Sequence, residues 1–191
     1  EAIDVFRRER DSNEYLSHAF ENAQQLLLQK KAQKGKKEEM KSTMVVLQIT
    51  EKQIRWGHIG DSRLYYFHKD RMVSRTLDHS VPQMLVLGGQ IKESEIRHHK
   101  DRNRVLRVLG TPWEGEAYSL ADPIEVTGNQ AFILCSDGFW ELITEKEMEK
   151  TLKQSYSVAQ WLEKMEKIVQ KHGEGKDMDN YSAICVYIDS K

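Results

Sequence analysis

Hydrophobic positions in this 191-residue chain follow a helical period at first and a strand period afterwards. Across residues 1–31 the apolar side chains recur about every 3.6 residues, which predicts an amphipathic helix that Ser12 or Asn13 would cap. The apolar stripe of this helix consists of Tyr15, Leu16, Ala19, Phe20, Ala23, Leu26 and Leu27. The lysine-rich segment from Lys30 to Lys41 interrupts the pattern, and we interpret it as a solvated linker.

From Ser42 onward the hydrophobic period falls to two, as in β-strands. The alternation predicts strands at residues 43–49, 53–60, 64–68 and 72–76, with a hairpin turn at residues 69–71. Because the connections are short and no βαβ alternation is visible, we expect a meander of adjacent antiparallel strands.

The second half of the chain mixes short helices with buried strands. A helix capped by Ser80 or Asp78 would end at Gly88, and another short helix would begin near Glu93. The other predicted elements are an irregular region at residues 98–123, a strand at 131–136, helices at 145–153 and 158–172, a turn at 177–180 and a strand at 181–188.

Composition indicates one globular domain over residues 1–191, which we expect to be monomeric. Apolar residues make up 39% and charged residues 31%, and a formal net charge of −1 gives no reason to expect a nucleic-acid partner. No apolar run approaches the roughly 20 residues of a membrane span, so no membrane partner is expected. Cys135 and Cys185 lie within apolar runs, which favours buried free thiols and a cytoplasmic location.

Three aspartates lie at predicted strand ends beside turn-forming residues. Asp137 follows a continuous apolar run and precedes Gly138, while Asp61 and Asp179 have similar positions. Carboxylates that converge at strand ends can bind Mg²⁺ or Mn²⁺, which prefer oxygen ligands. The alternative is structural, because aspartate is common in turns and Asp137 could cap the helix that follows. Spacing alone favours the structural interpretation, and both stay open at this stage.

A cluster of basic residues lies in the irregular region. Arg102, Arg104 and Arg107 are close enough in sequence to bind a phosphate group together. A surface loop whose arginines pair with neighbouring acids explains the same pattern equally well.

Six short segments occur in an order that resembles a known family. They are Ser-Thr-Met-Val-Val at 42–46, Gly-Asp-Ser-Arg at 60–63, Asp-His-Ser at 78–80, Arg-Asn…Arg-Val-Leu-Gly at 102–110, Cys-Ser-Asp-Gly-Phe-Trp at 135–140 and Asp-Asn at 179–180. The series resembles the type 2C, metal-dependent (PPM-type) serine/threonine protein phosphatases of the compact bacterial kind. The resemblance extends over about residues 10–188.

The resemblance implies an α+β fold, in which helices flank a sandwich of two antiparallel β-sheets. It implies that Asp137 and Asp179 ligate a catalytic Mn²⁺ or Mg²⁺ ion, and that Asp61 assists a more weakly held third ion. Asp78 and His79 would hold the loop after the strands. Residues from about 86 to 104 would form a flap beside the active site and would present Arg102 and Arg104 to the substrate.

The chain departs from the family pattern in one respect. In the family, an Asp-Gly-x-Gly-Gly-His type motif and an upstream arginine and acid precede the first helix, and this sequence contains no such motif. We therefore expect a fold that is incomplete at its N-terminus, with only part of a centre that holds two or three ions. The 191 residues alone are expected to be inactive or barely active.

The function that the resemblance implies is hydrolysis of phosphoserine and phosphothreonine in proteins by a metal-bridging water. The substrates would be targets of a cognate serine/threonine kinase, and a sporulation-type or stress-response regulator would differ only in its substrate. The alternative is a non-catalytic phosphatase-like module that binds a signalling partner.

Overall fold

The computed structural model describes residue 12, residues 14–34 and residues 40–189 of the chain. The helices are α1 (Tyr15–Lys34), α2 (Val81–Leu87), a 3₁₀ helix (Glu93–His98), α3 (Asp137–Trp140), α4 (Glu145–Lys153) and α5 (Val158–Gly173). The strands are β1 (Met44–Ile49), β2 (Gln53–Ile59), β3 (Arg63–His68), β4 (Arg71–Arg75), β5 (Ser119–Leu120), β6 (Ile124–Glu125), β7 (Gln130–Cys135) and β8 (Ala183–Ile188). None of the described helices has the length and apolar character needed to cross a membrane.

The first compact unit combines residues up to Gly60 with Asp78–Glu125. Its sheet is antiparallel: β1 pairs along its whole length with β2, and the other edge of β2 pairs with the short strands β5 and β6. The helix α1 contributes Phe20 to the core of this unit, where the ring of Phe20 stacks on Tyr118 at 4.9 Å between centroids. Ile59, Leu109 and Ala117 complete the buried cluster, against which Ala23 and Leu27 of α1 also pack. Most of the apolar stripe predicted for α1 is therefore covered, but the inclusion of Leu26 was wrong, because 43% of its surface is exposed.

The second unit combines Asp61–Leu77 with residues from Val126 onward. It contains an antiparallel sheet in the order β4-β3-β7-β8, in which β7 pairs with β3 on one side and with β8 on the other. Because β7 is a central strand, Phe132 and Ile133 are fully buried, as the continuous apolar run predicted.

Helices α4 and α5 pack on this second sheet. Thr144 and Glu147 form a reciprocal capping box at the start of α4, and Ser157 caps α5 by accepting the amide of Gln160. The indole of Trp161 is fully buried, meets Phe67 edge-on at 5.5 Å, and donates to the carbonyl of Met148 at 3.1 Å. These contacts fix the C-terminal helix, which leads directly to the Asp179 segment.

The predicted class, α+β with two antiparallel sheets and helices, is confirmed. The prediction of a meander over residues 43–76 is wrong in one respect, because β2 and β3 do not pair. Gly60, with φ of +102°, turns the chain between them, and β3 enters the second sheet. The β3–β4 hairpin is confirmed, and Lys69 and Asp70 form its two-residue turn with positive φ angles.

Several predicted bounds need correction. The first described helix spans Tyr15–Lys34, so the start of the predicted linker at Lys30 is helical, whereas residues 35–39 lie outside the described part. The hydroxyl of Ser12 accepts the amide of Glu14 at 3.1 Å, whereas Asn13 and residues 1–11 lie outside the described residues. The last strand begins at Ala183 rather than residue 181.

The loop predictions were partly correct. Ser80, not Asp78, caps α2 by accepting the amide of Gln83 at 3.4 Å. The region 98–123, predicted as irregular, contributes β5 and two isolated bridges to the first unit, Ser42 to Leu109 and Ser80 to Val105. Both cysteines are free, as predicted; Cys135 is buried, and burial raises the pKa of the half-buried Cys185 thiol to about 12.

Candidate metal centre

The four-residue helix α3 begins where the central strand β7 ends. Asp137 is the first residue of this helix and Ser136 is its N-cap, with extended backbone angles of −78° and 169°. The alternative in which Asp137 caps the helix is therefore wrong. The strand is held by neighbours on both sides up to Cys135, so the main chain that carries Asp137 is fixed by the sheet.

Asp137 and Asp179 each accept the backbone amide of the residue that follows. Oδ1 of Asp137 accepts the amide of Gly138 at 2.9 Å, and Oδ1 of Asp179 accepts the amide of Asn180 at 2.8 Å. Each carboxylate is thus oriented by the residue that follows it. Neither Oδ2 atom forms a hydrogen bond or ion pair with a described residue, so each acid keeps an oxygen available for a ligand.

Gly138 brings the two acids onto adjacent segments. A β-carbon on Gly138 would lie 2.6 Å from the carbonyl oxygen of Asn180 and 3.2 Å from that of Asp179. The first separation is shorter than real side-chain contacts and the second is tighter than most of them, so glycine is what allows the Asp179 segment to approach α3 this closely. The structure therefore brings together the main chains of two of the three aspartates predicted as ligands.

The segment of Asp61 also contacts α3, through Trp140. The indole Nε1 of Trp140 donates to the carbonyl oxygen of Asp61 at 3.0 Å, and the guanidinium of Arg63 lies 3.4 Å from the centre of the Trp140 rings. Asp61 itself is buried, with 6% of its surface exposed. The structure thus places the Asp61 turn against the same short helix, through the residues Arg63 and Trp140, whose pairing we did not predict from the sequence.

The described residues contain no group of three or more His, Cys, Asp and Glu side chains arranged to hold a metal ion. What the structure brings together is the backbone of three segments, with Asp137 on α3 and the Asp61 and Asp179 segments against it. The assignment of these three acids as metal ligands stays a prediction.

Arg102 and Arg104 belong to the first unit and are both exposed. The carbonyl of Arg104 accepts the amide of Val81 at 3.0 Å, and the amide of Arg102 donates to the carbonyl of His99 at 3.1 Å. The backbone of this loop is therefore held against α2 while its arginine side chains remain at the surface.

His79 has a structural environment, as the resemblance implies. Its amide donates to the carbonyl of Gly60 at 2.9 Å, and its ring Nδ1 accepts the amide of Gly60 at 3.3 Å. The other nitrogen, Nε2, lies 3.0 Å from the hydroxyl of Ser119. The ring of His58 stacks on it at 4.5 Å, a contact that the sequence signals only by placing His58 on a buried strand.

Comparison of the sequence with known proteins finds similarity to bacterial protein phosphatases. No family model matches the chain. It is 29% identical over 147 residues to the serine/threonine phosphatase stp of Listeria innocua, which is 77% of this chain and 56% of that protein. It is also 26% identical to a putative 2C-type protein phosphatase of Streptococcus pyogenes, over 80% of this chain and 60% of that protein. The chain thus spans little more than half the length of the curated relatives it matches.

Solved structures show the same fold. The serine/threonine phosphatase PstP/Ppp of Mycobacterium tuberculosis superposes with a TM-score of 0.82 at 22% identity, over 100% of this chain and 80% of the other. The resemblance to the PPM-type phosphatases is confirmed. A second solved structure, the catalytic domain of the serine/threonine protein phosphatase PstP in complex with two manganese ions, superposes with a TM-score of 0.75 at 19% identity, over 98% of this chain and 79% of the other.

Proposed function

We propose that the chain belongs to a metal-dependent serine/threonine protein phosphatase that hydrolyses phosphoserine and phosphothreonine in proteins. The observation that carries the proposal is the contact of the Asp179 segment with Gly138, which places on adjacent segments two aspartates that each accept the amide of the next residue. The sequence similarity to stp, which covers most of this chain, supports the same activity.

The residues present fit a hard divalent cation. Asp137 and Asp179 offer oxygen atoms, the donors that Mn²⁺ and Mg²⁺ prefer, and the amide bond at each Oδ1 restricts the orientation of the carboxylate before an ion binds. When bound, such ions would supply a water of lowered pKa and would neutralise charge on the phosphoryl group. Asp61 is proposed to assist a third ion, from a turn that Trp140 holds against α3.

The chain's own contribution is to orient ligands on a rigid support. Asp137 is fixed by the central strand β7, and the Asp179 segment is fixed by its contact with α3. Arg102 and Arg104 are proposed to bind substrate phosphate or the peptide around it, because their side chains are exposed while their backbone is held in place.

The remaining expectations are proposals of the same kind. We propose that the substrates are targets of a cognate serine/threonine kinase, and that the protein acts as a monomer in the cytoplasm. We also propose that residues 1–191 belong to one PPM-type domain, although the described residues form two compact units.

The test is Mn²⁺-dependent release of phosphate from a phosphothreonine peptide by the full-length protein and its variants. Asp137→Asn and Asp179→Asn should each lower kcat/KM by at least about 100-fold, because asparagine keeps the shape but loses the charge that holds the ion. Asp70→Asn is the matched control: it lies in the β3–β4 turn with φ of +61°, which asparagine tolerates well. Arg102→Ala and Arg104→Ala should raise KM, with Lys100→Ala as the control on the same exposed loop.

The same assay separates the enzyme from the non-catalytic alternative. Metal-dependent turnover that Asp137→Asn abolishes supports the phosphatase. A wild-type protein that binds the phosphopeptide without releasing phosphate at any Mn²⁺ or Mg²⁺ concentration would instead support the signalling module.

A further inference from the structure

The segment that carries Asp179 has no regular secondary structure of its own. It connects the end of α5 to the start of β8, and residues 174–177 are exposed. Exposed connections of this kind are usually more mobile than the elements they join. A metal ligand on such a segment needs contacts that hold it in place.

The contact before Asp179 is made by Met178 on the last residue of α5. A β-carbon on Gly173 would overlap Sδ of Met178 and would lie 2.6 Å from its Cε and 2.7 Å from its Cγ. The thioether side chain therefore rests directly on the main chain of Gly173, which is buried. The amide of Lys176 donates to the carbonyl of Gly173 at 3.0 Å and folds the intervening residues back toward this contact.

Gly173 is a helical residue whose presence needs an explanation. Glycine costs about 1 kcal/mol relative to alanine in a helix interior and still disfavours the helix at its last residue, which Gly173 is. Glycines at helix ends commonly adopt a left-handed conformation, but the glycine with positive φ here is Gly175, at +75°, and Gly173 has helical geometry. The absence of a β-carbon at position 173 is instead what admits the side chain of Met178.

The contacts after Asp179 are made on α3 and α5. The carbonyl of Asn180 lies against Gly138, as described above. The hydroxyl of Tyr181 donates to Glu166 at 3.2 Å and accepts from the amide group of Gln170 at 3.3 Å. The segment is therefore attached immediately before and immediately after Asp179.

We propose that Met178 is a positioning residue for Asp179, acting through the packing of its thioether against Gly173. An unbranched, flexible thioether suits an irregular gap between a loop and a helix end. The contact of Met178 with Gly173 fixes residue 178 on α5, and the contact of Asn180 with Gly138 fixes residue 180 on α3. The backbone of Asp179 between them therefore has little freedom. This inference rests on the proposed function, because it concerns a predicted metal ligand.

The experiment compares Met178→Ala, Met178→Leu, Gly173→Ala and the double variant Gly173→Ala/Met178→Ala in the full-length protein. Two quantities are measured: hydrogen exchange of the peptide over residues 174–182, and the Kd for Mn²⁺ by calorimetry. Met178→Ala should speed exchange of this peptide and raise the Kd roughly tenfold, as for other residues that orient a ligand. Met178→Leu, of similar volume, should restore both toward wild type.

The glycine variants test the contact between Met178 and Gly173 itself. Gly173→Ala should change the exchange rate and the Kd in the same direction as Met178→Ala but by a smaller factor, because the new methyl group displaces the thioether and that flexible side chain can repack. The double variant should show the same exchange rate and the same Kd as Met178→Ala alone, because the alanine at 173 then has no thioether to displace. Such non-additivity is expected of residues in direct contact. Met84→Ala, at an exposed methionine of α2, is the control and should change neither quantity.

The outcomes separate this inference from the proposed function. If Met178→Ala leaves exchange of residues 174–182 and the Kd within twofold of wild type, the positioning role is overturned. If the wild-type protein binds no Mn²⁺, the metal-dependent function fails. The exchange data then decide alone. Faster exchange in Met178→Ala supports the restraint of this segment by Met178, and unchanged exchange overturns it.

Discussion

His79 shows how one residue can link the stability of the fold to pH. Burial lowers the pKa of His79 to about 4, with the neighbouring His58 and Arg107 acting in the same direction and Asp78 opposing them. The ring is therefore neutral at pH 7. Because Nδ1 accepts the amide of Gly60, we assign the ring proton to Nε2, which can donate to the hydroxyl of Ser119.

The sign of the pH effect follows from this lowered pKa. In the unfolded chain the ring takes up a proton near its ordinary pKa of 6.5, whereas the folded chain resists protonation until about pH 4. The unfolded state thus binds more protons in this window, and folding stability falls as the pH drops from about 6.5 to about 4. The full shift corresponds to roughly 3 kcal/mol, which is an upper limit.

We expect His79→Gln to lower stability at pH 7.5 but to flatten its dependence on pH below 6.5. The measurement is urea unfolding at pH 7.5, 5.5 and 4.5. His98→Gln, at an exposed position of the 3₁₀ helix, should keep the wild-type pH dependence. Parallel losses on acidification in wild type and in His79→Gln would contradict the assignment.

At the scale of secondary structure, the short helix α3 organises the candidate centre. It carries Asp137, receives the Asp179 segment at Gly138, and receives the Asp61 turn at Trp140. Four residues cannot form a stable helix by themselves, so α3 depends on these contacts as much as they depend on it.

Replacement of Gly138 by alanine tests this organisation. The new methyl group would meet the backbone oxygen of Asn180 at 2.6 Å, and backbone moves less readily than a flexible side chain. We expect Gly138→Ala to lower the free energy of unfolding by about 1–3 kcal/mol and to reduce catalytic activity more than stability alone explains. Urea unfolding and phosphopeptide hydrolysis below the unfolding transition check both.

Gly88→Ala is the matched control for this substitution. Gly88 also has negative φ, and the atom nearest to an added β-carbon there is the carbonyl oxygen of Met84 at 3.4 Å, an ordinary contact. Gly88→Ala should therefore change stability little. A Gly138→Ala variant as stable and active as Gly88→Ala would show that α3 does not need the close approach.

The sequence was most informative where the determining interactions are local. The bounds of α4 were predicted correctly, and the capping box that starts this helix involves only Thr144 and Glu147, which are three residues apart in the sequence. The strand ahead of Asp137 was predicted within one residue, because a strand paired on both sides needs an unbroken apolar run.

Interactions between distant residues could not be predicted in this way. The sequence did not show that β3 would pair with β7 rather than with β2, since the strands are about 60 residues apart and the choice depends on the turn at Gly60. The close contacts of Asn180 with Gly138 and of Met178 with Gly173 were missed for the same reason. A glycine that admits a distant backbone or side chain looks, in sequence, like any other glycine near a turn.

At the scale of the whole molecule, the proposed ions should stabilise the folded protein. An ion that binds only the folded state adds RT ln(1 + [ion]/Kd), or about 2.7 kcal/mol when the ion is present at 100 times its Kd. For a protein of this size, that free energy corresponds to a rise in Tm of roughly 5–10 °C.

We expect Mn²⁺ to raise the Tm of the full-length protein by this amount, and a chelator to reverse the rise. Asp137→Asn and Asp179→Asn should remove most of the shift, whereas Asp70→Asn should retain it. Differential scanning calorimetry at matched ionic strength separates ion binding from general salt effects. A full Mn²⁺ shift in Asp137→Asn would show that the ion binds elsewhere. A shift that requires Asp137, in a protein that releases no phosphate, would favour the non-catalytic module, because the same carboxylates would then hold an ion without hydrolysis.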